Sequence, residues 1–130
     1  MIWTKVAAGI VIRDGLVLVV KRPEGKALAG FWEFPGGKAE PGEPVDKALV
    51  RELNEELGII PVDFRLWTLV KKKYGHINAH VHFYLIYRFE GIISPLENQE
   101  IAWIDPGKAS GAEFLKADRE ILKKVDLSHE

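Results

Sequence analysis

Hydrophobic residues in the first part of the chain predict two β-strands joined by a tight turn. Trp3–Ile12 and Leu16–Val20 are rich in β-branched and aliphatic residues. The Asp14-Gly15 dipeptide between them is a strong signal for a hairpin. Three later segments have the same strand-like composition: Val62–Val70, Ala79–Phe89 and Ile101–Ile104.

The apolar positions change to helical spacing in the middle of the chain. They recur three and four residues apart at Val45, Ala48, Leu49 and Leu53. Pro44 suits the start of this helix, and Gly58 suits the position just after its end. A second helix is predicted over Asp118–Val125, with its apolar residues facing the core.

Loop-forming residues separate these elements. Pro23–Gly30 is predicted as a loop, and a short aromatic segment, Phe31–Phe34, follows it. Pro35-Gly36-Gly37 is then predicted to break any regular element. Strands on both sides of one central helix, with a second helix at the end, predict an α/β (α+β) fold in which a mixed sheet packs between helices.

Composition narrows the class of protein. The chain has 130 residues, 47% of them hydrophobic, so a single domain over residues 1–130 is expected. The net charge is −1, and no basic stripe stands out beyond Lys71-Lys72-Lys73, so nucleic acid polymers are not expected as partners. The absence of cysteine excludes disulfides and thiolate chemistry. The apolar run Val6–Ile12 is too short to span a membrane, so we expect no membrane partner and a cytoplasmic location.

Three glutamates crowd one side of the central predicted helix. Glu52, Glu55 and Glu56 stand at i, i+3 and i+4. Glu52 and Glu56 form a like-charge pair that costs roughly 0.2–0.5 kcal/mol on a helix surface. Glu55 and Glu56 also lie in the last turn, where the helix dipole disfavours anions. Because Arg51 is the only near counter-charge in the sequence, this arrangement predicts a bound divalent cation.

Oxygen ligands of this kind suit Mg²⁺, with Mn²⁺ as a possible substitute, better than zinc or copper. Magnesium is usually completed by substrate phosphates, which predicts a phosphate-bearing ligand. Pro35-Gly36-Gly37 adds exposed backbone whose carbonyl can approach a metal and whose amides can approach phosphate. A group of three histidines, His76, His80 and His82, could form a different metal site. The oxygen-rich site makes this second interpretation less favourable.

The spacing of these residues resembles a family signature. The pattern consists of Gly37, five residues, Glu43, seven residues and then Arg51-Glu52-Leu53-any-Glu55-Glu56-any-Gly58-Ile59. Over residues 37–59 it resembles the Nudix box without a departure. The preceding run Phe31–Lys38 is similar to the MutT branch of Nudix hydrolases, whose members hydrolyse nucleoside triphosphates. The resemblance implies an α/β/α sandwich with a mixed sheet between helices.

The resemblance also implies a reaction and its residues. A nucleoside triphosphate would be cleaved to the monophosphate and pyrophosphate by attack of water on phosphorus, with Mg²⁺ as the cofactor. Arg51 would orient a neighbouring carboxylate, and Glu43 would belong to the loop frame or an outer metal shell. The proton acceptor is left open between Glu52 and Glu100, with Glu97 as a weaker substitute. The implied metal ligands are the Gly36 carbonyl, Glu52, Glu55 and Glu56.

Substrate binding is implied for a further set of positions. Arg22 would reach phosphate or ribose, and Gly37 and Lys38 would bind the substrate beside it. Phe34 and Tyr74 would stack on a base and Val6 would line the pocket floor, although a core role for these three is equally compatible with the sequence.

One position departs from the pattern. MutT-type sanitisers of oxidised guanine carry an asparagine before the last helix, where this chain has Asp118. An ionised carboxylate only accepts hydrogen bonds, so Asp118 suits the donor edge of guanine or the cytosine amino group. Alternatively, Asp118 caps the helix.

Two other functions stay open at this point. A Nudix hydrolase of dinucleoside polyphosphates or nucleotide sugars is the first alternative, and Tyr74 keeps the dinucleoside option open. A non-catalytic nucleotide-binding module is the least favoured, because none of the box residues is lost. The sequence does not decide between a monomer and a homodimer, the number of metals or the physiological nucleotide.

Overall fold

The computed structural model of the chain describes residues 2–26, 28–75, 77–108, 114 and 116–125. The strands are β1 (Thr4–Arg13), β2 (Leu16–Lys21), β3 (Trp32–Glu33), β4 (Gly36–Lys38), β5 (Ile60–Tyr74), β6 (Ile77–Glu90) and β7 (Glu100–Ile104). The helices are α1 (Val45–Leu57) and α2 (Lys116–Leu122), with a 3₁₀ turn at Pro106–Lys108. None of the helices in these residues is long and apolar enough to cross a membrane.

The strands form a mixed sheet, as the sequence predicts. Its order is β3-β2-β1-β6-β5, while β4 also pairs with β1 and β7 also pairs with β2. The pairing of β1 with β6 is parallel, with Val6 opposite Val81, and the other pairings are antiparallel. β1 therefore lies at the centre of the sheet and pairs with β4, which carries Gly36, Gly37 and Lys38.

Helices cover both faces of this sheet. On one face, Leu49, Leu53 and Leu57 of α1 are fully buried against residues such as Val11 and Ile86. On the other face, Ile121 and Leu122 of α2 are buried against a second cluster of strand residues that includes Ile10 and Phe83. The predicted packing of a mixed sheet between helices is thereby confirmed.

Local sequence signals place several boundaries well. The Asp14-Gly15 hairpin is confirmed, because both residues have positive φ and Ile12 pairs with Val17 across the turn. Helix α1 ends as predicted at Gly58, whose φ is +74° and whose N–H donates to the Asn54 carbonyl at 2.9 Å. Helix α2 ends at Leu122, earlier than the predicted Val125.

The expected break at Pro35-Gly36-Gly37 is wrong in part. Gly36 and Gly37 belong to β4 and pair with Ala8 and Ala7 of β1. The two glycines let the backbone of β4 approach β1 closely, since a Cβ on Gly36 would overlap the Ala7 carbonyl oxygen. This tertiary contact overrides the local preference for a turn.

Candidate active site

A cavity of about 620 Å³ opens where β1, β4, β6, α1 and α2 meet. Many of the residues that the sequence singles out line it: Val6, Arg22, Phe34, Gly36, Gly37, Lys38, Glu52, Glu55, Glu56 and Asp118. Arg51 lies behind this wall, and Glu100 is not among the lining residues. The side chain of Tyr74 lies outside the part of the chain that the structure describes.

Arg51 holds the carboxylates of the helix in place. Its Nε and Nη2 donate to the two oxygens of Glu43, each at 2.9 Å, and Nη2 also donates to the Lys38 carbonyl at 3.1 Å. Its Nη1 donates to Glu52 at 2.9 Å and to Glu55 at 3.3 Å. One guanidinium thus ties the loop before α1 and strand β4 to two of the three glutamates.

The charges around Arg51 shift the pKa values of its partners. Its hydrogen bonds, together with the Glu40 N–H, lower the pKa of Glu43 to about 2. Hydrogen bonds to Glu43 and Glu52 raise the pKa of Arg51 itself. Burial raises the pKa of Glu52 in spite of its bond to Arg51, and Glu55 and Glu97 add to that rise by repulsion.

Glu56 lies in the least favourable environment for a charge. It is buried, and one of its oxygens accepts a hydrogen bond from the Gly36 N–H at 3.2 Å. Burial raises its pKa to about 8, and repulsion from Glu33, Glu97 and Glu52 adds to that rise. An isolated ionised carboxylate is costly in such a place, so the site is suited to a cation that would favour the charged form.

The donor set fits a hard divalent metal in its chemistry. Glu52, Glu55 and Glu56 repel one another at the same wall of the cavity, next to the Gly36 backbone. In the described residues, no three acidic or histidine side chains already converge as a metal would require. Arg51 contacts one oxygen each of Glu52 and Glu55, and the Gly36 N–H contacts one oxygen of Glu56, so these bonds leave the second oxygen of each carboxylate for a metal.

We expect Arg51→Lys to lower turnover about tenfold or more while the fold stays intact. Lysine keeps the positive charge but cannot form the planar fork that contacts Glu43 and Glu52 together. Without the hydrogen bonds of this fork, the carboxylates should also bind Mg²⁺ more weakly, because the loss of supporting contacts usually lowers metal affinity. Turnover measured across a Mg²⁺ titration tests this, with Arg65→Lys on β5 as the control. An unchanged Mg²⁺ dependence would contradict the role given to Arg51.

Glu97 and Glu100 occupy different places. Glu97 lines the cavity, and its charge is felt by both Glu52 and Glu56. Its N–H donates to the Gln99 side chain at 3.0 Å. Glu100 is 70% exposed and pairs with Lys21 at 3.7 Å. The geometry therefore brings Glu97, and not Glu100, to the carboxylate end of the cavity.

Asp118 also lines the cavity, and it does not act as a local helix cap in its described contacts. Its Oδ2 accepts a hydrogen bond from the Phe34 N–H at 2.9 Å. Burial raises its pKa to about 8, and Glu33 adds to the rise by repulsion. Glu33 itself is bound by Arg22, whose Nη1 donates to both its oxygens at 3.2 and 3.0 Å.

The metal-free protein is expected to lose stability as pH rises from about 5 to about 8. Glu56 and Asp118 both have a pKa of about 8 in the folded chain, against ordinary values of 4.5 and 3.8. The folded chain therefore holds more protons than the unfolded chain over this range, and stability falls with pH. Melting curves in EDTA across this range test it. Asp118→Asn should flatten the slope, and an unchanged slope would contradict the raised pKa of Asp118.

Apolar residues complete the walls near Asp118. Phe34 is buried, and its ring packs edge-on against Phe83 with centroids 6.1 Å apart, so it belongs to the core and also lines the cavity. Its stacking on a base stays a prediction. Residues that sequence reasoning did not single out as lining residues include Lys26, Leu28, Glu33, Val81 and Gln99. Glu33 was detectable in principle, because it precedes Phe34 in the run resembling the MutT branch. Lys26, Leu28 and Val81 gave no comparable signal.

His80 and His82 are not among the residues that line this cavity. The rings of His80 and His82 are 4.7 Å apart on β6, while His76 lies outside the described residues. Burial and the nearby charges of His80 and Lys5 lower the pKa of His82. Neither described histidine lines the cavity, so the structure does not join them to the glutamates.

Comparisons with known proteins agree with this geometry. A family model described as the NUDIX domain matches residues 3–125. The CTP pyrophosphohydrolase of Escherichia coli is 36% identical over 119 residues, 92% of this chain and 88% of that protein. The 8-oxo-dGTP diphosphatase of Haemophilus influenzae is 32% identical over 122 residues, 93% of this chain and 90% of that protein. The crystal structure of a MutT NUDIX hydrolase from Burkholderia pseudomallei matches with a TM-score of 0.88 at 28% identity, covering 97% of this chain and 100% of that one.

These matches and the site define a Nudix hydrolase fold of the MutT type. The chain belongs to the NUDIX domain family, which confirms the resemblance drawn from residues 37–59. Nudix hydrolases generally use a divalent metal, in keeping with the glutamates of α1.

Proposed function

We propose that this chain is a Mg²⁺-dependent hydrolase that cleaves a nucleoside triphosphate to the monophosphate and pyrophosphate. The observation that carries the proposal is the cavity, whose lining brings the box carboxylates together with Asp118 and apolar walls. The names of the relatives support it, since they act on CTP and on 8-oxo-dGTP. A cavity of about 620 Å³ also matches one nucleotide better than a polymer or a membrane surface.

The carboxylate end supplies the chemistry. Glu52, Glu55 and Glu56, with the Gly36 carbonyl, would hold Mg²⁺, and Mn²⁺ could substitute for it. The metal would neutralise phosphate charge and lower the pKa of the attacking water. Arg51 keeps the carboxylates oriented, and Glu52 or Glu97 would accept the proton of that water. We prefer Glu97 to Glu100 as the second candidate because Glu97 lines the cavity.

Cationic groups beside the carboxylates would bind the phosphates. Arg22 and Lys38 line the cavity as the resemblance implies, and Lys21 and Lys26 join them. Gly37 also lines the cavity, against the Glu52 carboxyl group, so its backbone would border the phosphates. In-line attack on phosphorus needs such positioning more than covalent help from the protein.

Asp118 and the apolar lining residues would read the base. Asp118 keeps one oxygen on the Phe34 N–H, so the second oxygen is the group that would face a base edge. Burial raises the pKa of Asp118, but hydrogen-bond donors on a base edge, guanine N1–H and N2–H₂ or the cytosine amino group, would favour its charged form, which accepts them. Val6 and Phe34 would form apolar walls around the base.

A nucleotide panel tests the proposed function. Purified protein and Mg²⁺ are incubated with 8-oxo-dGTP, dGTP, CTP, dCTP, ADP-ribose and diadenosine tetraphosphate, and the products are identified. Monophosphate and pyrophosphate from a triphosphate are expected, with the label from ¹⁸O-water in only one of them. A Glu52→Gln preparation serves as the control for contaminating phosphatases. Much faster turnover of ADP-ribose or the dinucleotide would overturn the proposal.

A further inference from the structure

We propose that Leu28 contacts the nucleoside half of the bound substrate, as the apolar wall at the rim of the cavity. This inference rests on the proposed function and adds a residue that sets affinity for the nucleoside. It starts from the exposure of Leu28. Of the large hydrophobic side chains that are exposed in the described residues, Leu28 is the one that lines the cavity.

Three other apolar lining residues have little surface left to bury. Phe34, Ala79 and Val81 line the same cavity with exposed fractions of 4%, 0% and 6%. Leu28 is 37% exposed, so a ligand seated in the cavity would cover apolar surface there that the empty protein leaves in water. Removing such surface from water favours binding in proportion to its area.

The backbone at Leu28 gives an independent reason. Its φ is +58°, in the left-handed region, which is unfavourable for a leucine. The nearby glycines, Gly25 and Gly30, also have positive φ but without that cost. Glycine or asparagine would therefore suit position 28 better for stability alone. A leucine kept in this conformation at a cavity wall points to a role of its side chain in binding.

Backbone hydrogen bonds hold the loop that carries Leu28. The Gly30 N–H donates to the Arg22 carbonyl and the Arg22 N–H donates to the Phe31 carbonyl, both at 2.9 Å. The Leu28 carbonyl accepts from the Phe31 N–H at 3.2 Å. The same anchor carries Arg22, so the loop presents a cationic group and an apolar group to one cavity.

Two variants separate a binding role from a structural one. Leu28→Asn keeps a similar size and tolerates positive φ, and Leu28→Gly removes the side chain and the strain together. Both should melt at or above the wild-type temperature. Both should raise KM for the triphosphate about three- to tenfold with little change in kcat, as expected when an apolar contact common to ground and transition states is lost. Inorganic tripolyphosphate lacks a nucleoside, so its inhibition constant should not change.

Asp14→Gly is the matched control, because Asp14 also has positive φ but lies in the β1–β2 hairpin away from the cavity. Its KM should equal that of the wild type. An unchanged KM in both Leu28 variants would overturn the inference, and so would an equal rise in the inhibition constant of tripolyphosphate. If the wild type hydrolyses no triphosphate, the proposed function fails by itself. Calorimetric binding of a nucleoside monophosphate then still tests Leu28, with weaker binding by the variants expected and equal binding overturning it.

Discussion

Glu56→Gln is expected to lower turnover about a hundredfold or more without destabilising the metal-free protein. Glutamine keeps the shape of Glu56 and an oxygen that can accept the Gly36 N–H, so the local structure should persist. Burial already raises the pKa of Glu56 to about 8, so at neutral pH the metal-free protein holds it largely uncharged. The amide therefore resembles the resting state but lacks the negative charge that a metal needs.

Melting curves in EDTA and in Mg²⁺, together with steady-state kinetics, measure both parts of this result. Glu52→Gln should behave in the same way, while Glu90→Gln, on the exposed end of β6, should match the wild type in both assays. Mg²⁺ should raise the melting temperature of the wild type more than that of either box variant. Marked destabilisation of Glu56→Gln in EDTA would show that the carboxylate has a structural role instead.

Gly36→Ala is expected to destabilise the fold by about 3 kcal/mol or more. The φ of Gly36 is +152°, and an added Cβ would overlap the carbonyl oxygen of Ala7, a backbone atom that β1 holds in place. Its neighbour provides a contrasting case. A Cβ on Gly37 would come within 2.5 Å of the Glu52 carboxyl group, which is the movable end of a side chain. Gly37→Ala should therefore spare the fold and displace Glu52.

Urea unfolding and turnover distinguish the two glycine variants. Gly36→Ala should shift the unfolding midpoint strongly. Gly37→Ala should keep most of the stability but lose about tenfold or more of its turnover. If both variants lost stability equally and Gly37→Ala kept full activity, the close approach of β4 to Glu52 would not matter for catalysis.

Secondary-structure elements that depend on neighbouring residues could be predicted from the sequence. The Asp14-Gly15 turn follows from residues that tolerate positive φ, and α1 follows from apolar residues at helical spacing with Gly58 after them. Strand β4 could not be predicted in this way. Its two glycines read as a turn, and only the pairing with β1, about 30 residues earlier in the chain, makes them a strand.

The candidate site also contains residues that the sequence could predict and residues that it could not. The glutamates of α1 could be predicted because their spacing on one helix fixes which side they share. Glu97 and Glu100 could not be separated, since they lie three residues apart and only the start of β7 decides which one reaches the cavity. The bond between Asp118 and the Phe34 N–H joins residues 84 apart, and no local pattern specifies such a contact.

The central position of β1 also has a consequence for the order of folding. β1 and β2 can pair as soon as both exist, because only a two-residue turn separates them. The parallel pairing of Ala7 with His82 instead closes a loop of about 75 residues, which is entropically slow. During synthesis the N-terminal hairpin can therefore form early, but the cavity is completed only after β6 has paired and the later residues Glu97, Gln99 and Asp118 have joined its lining.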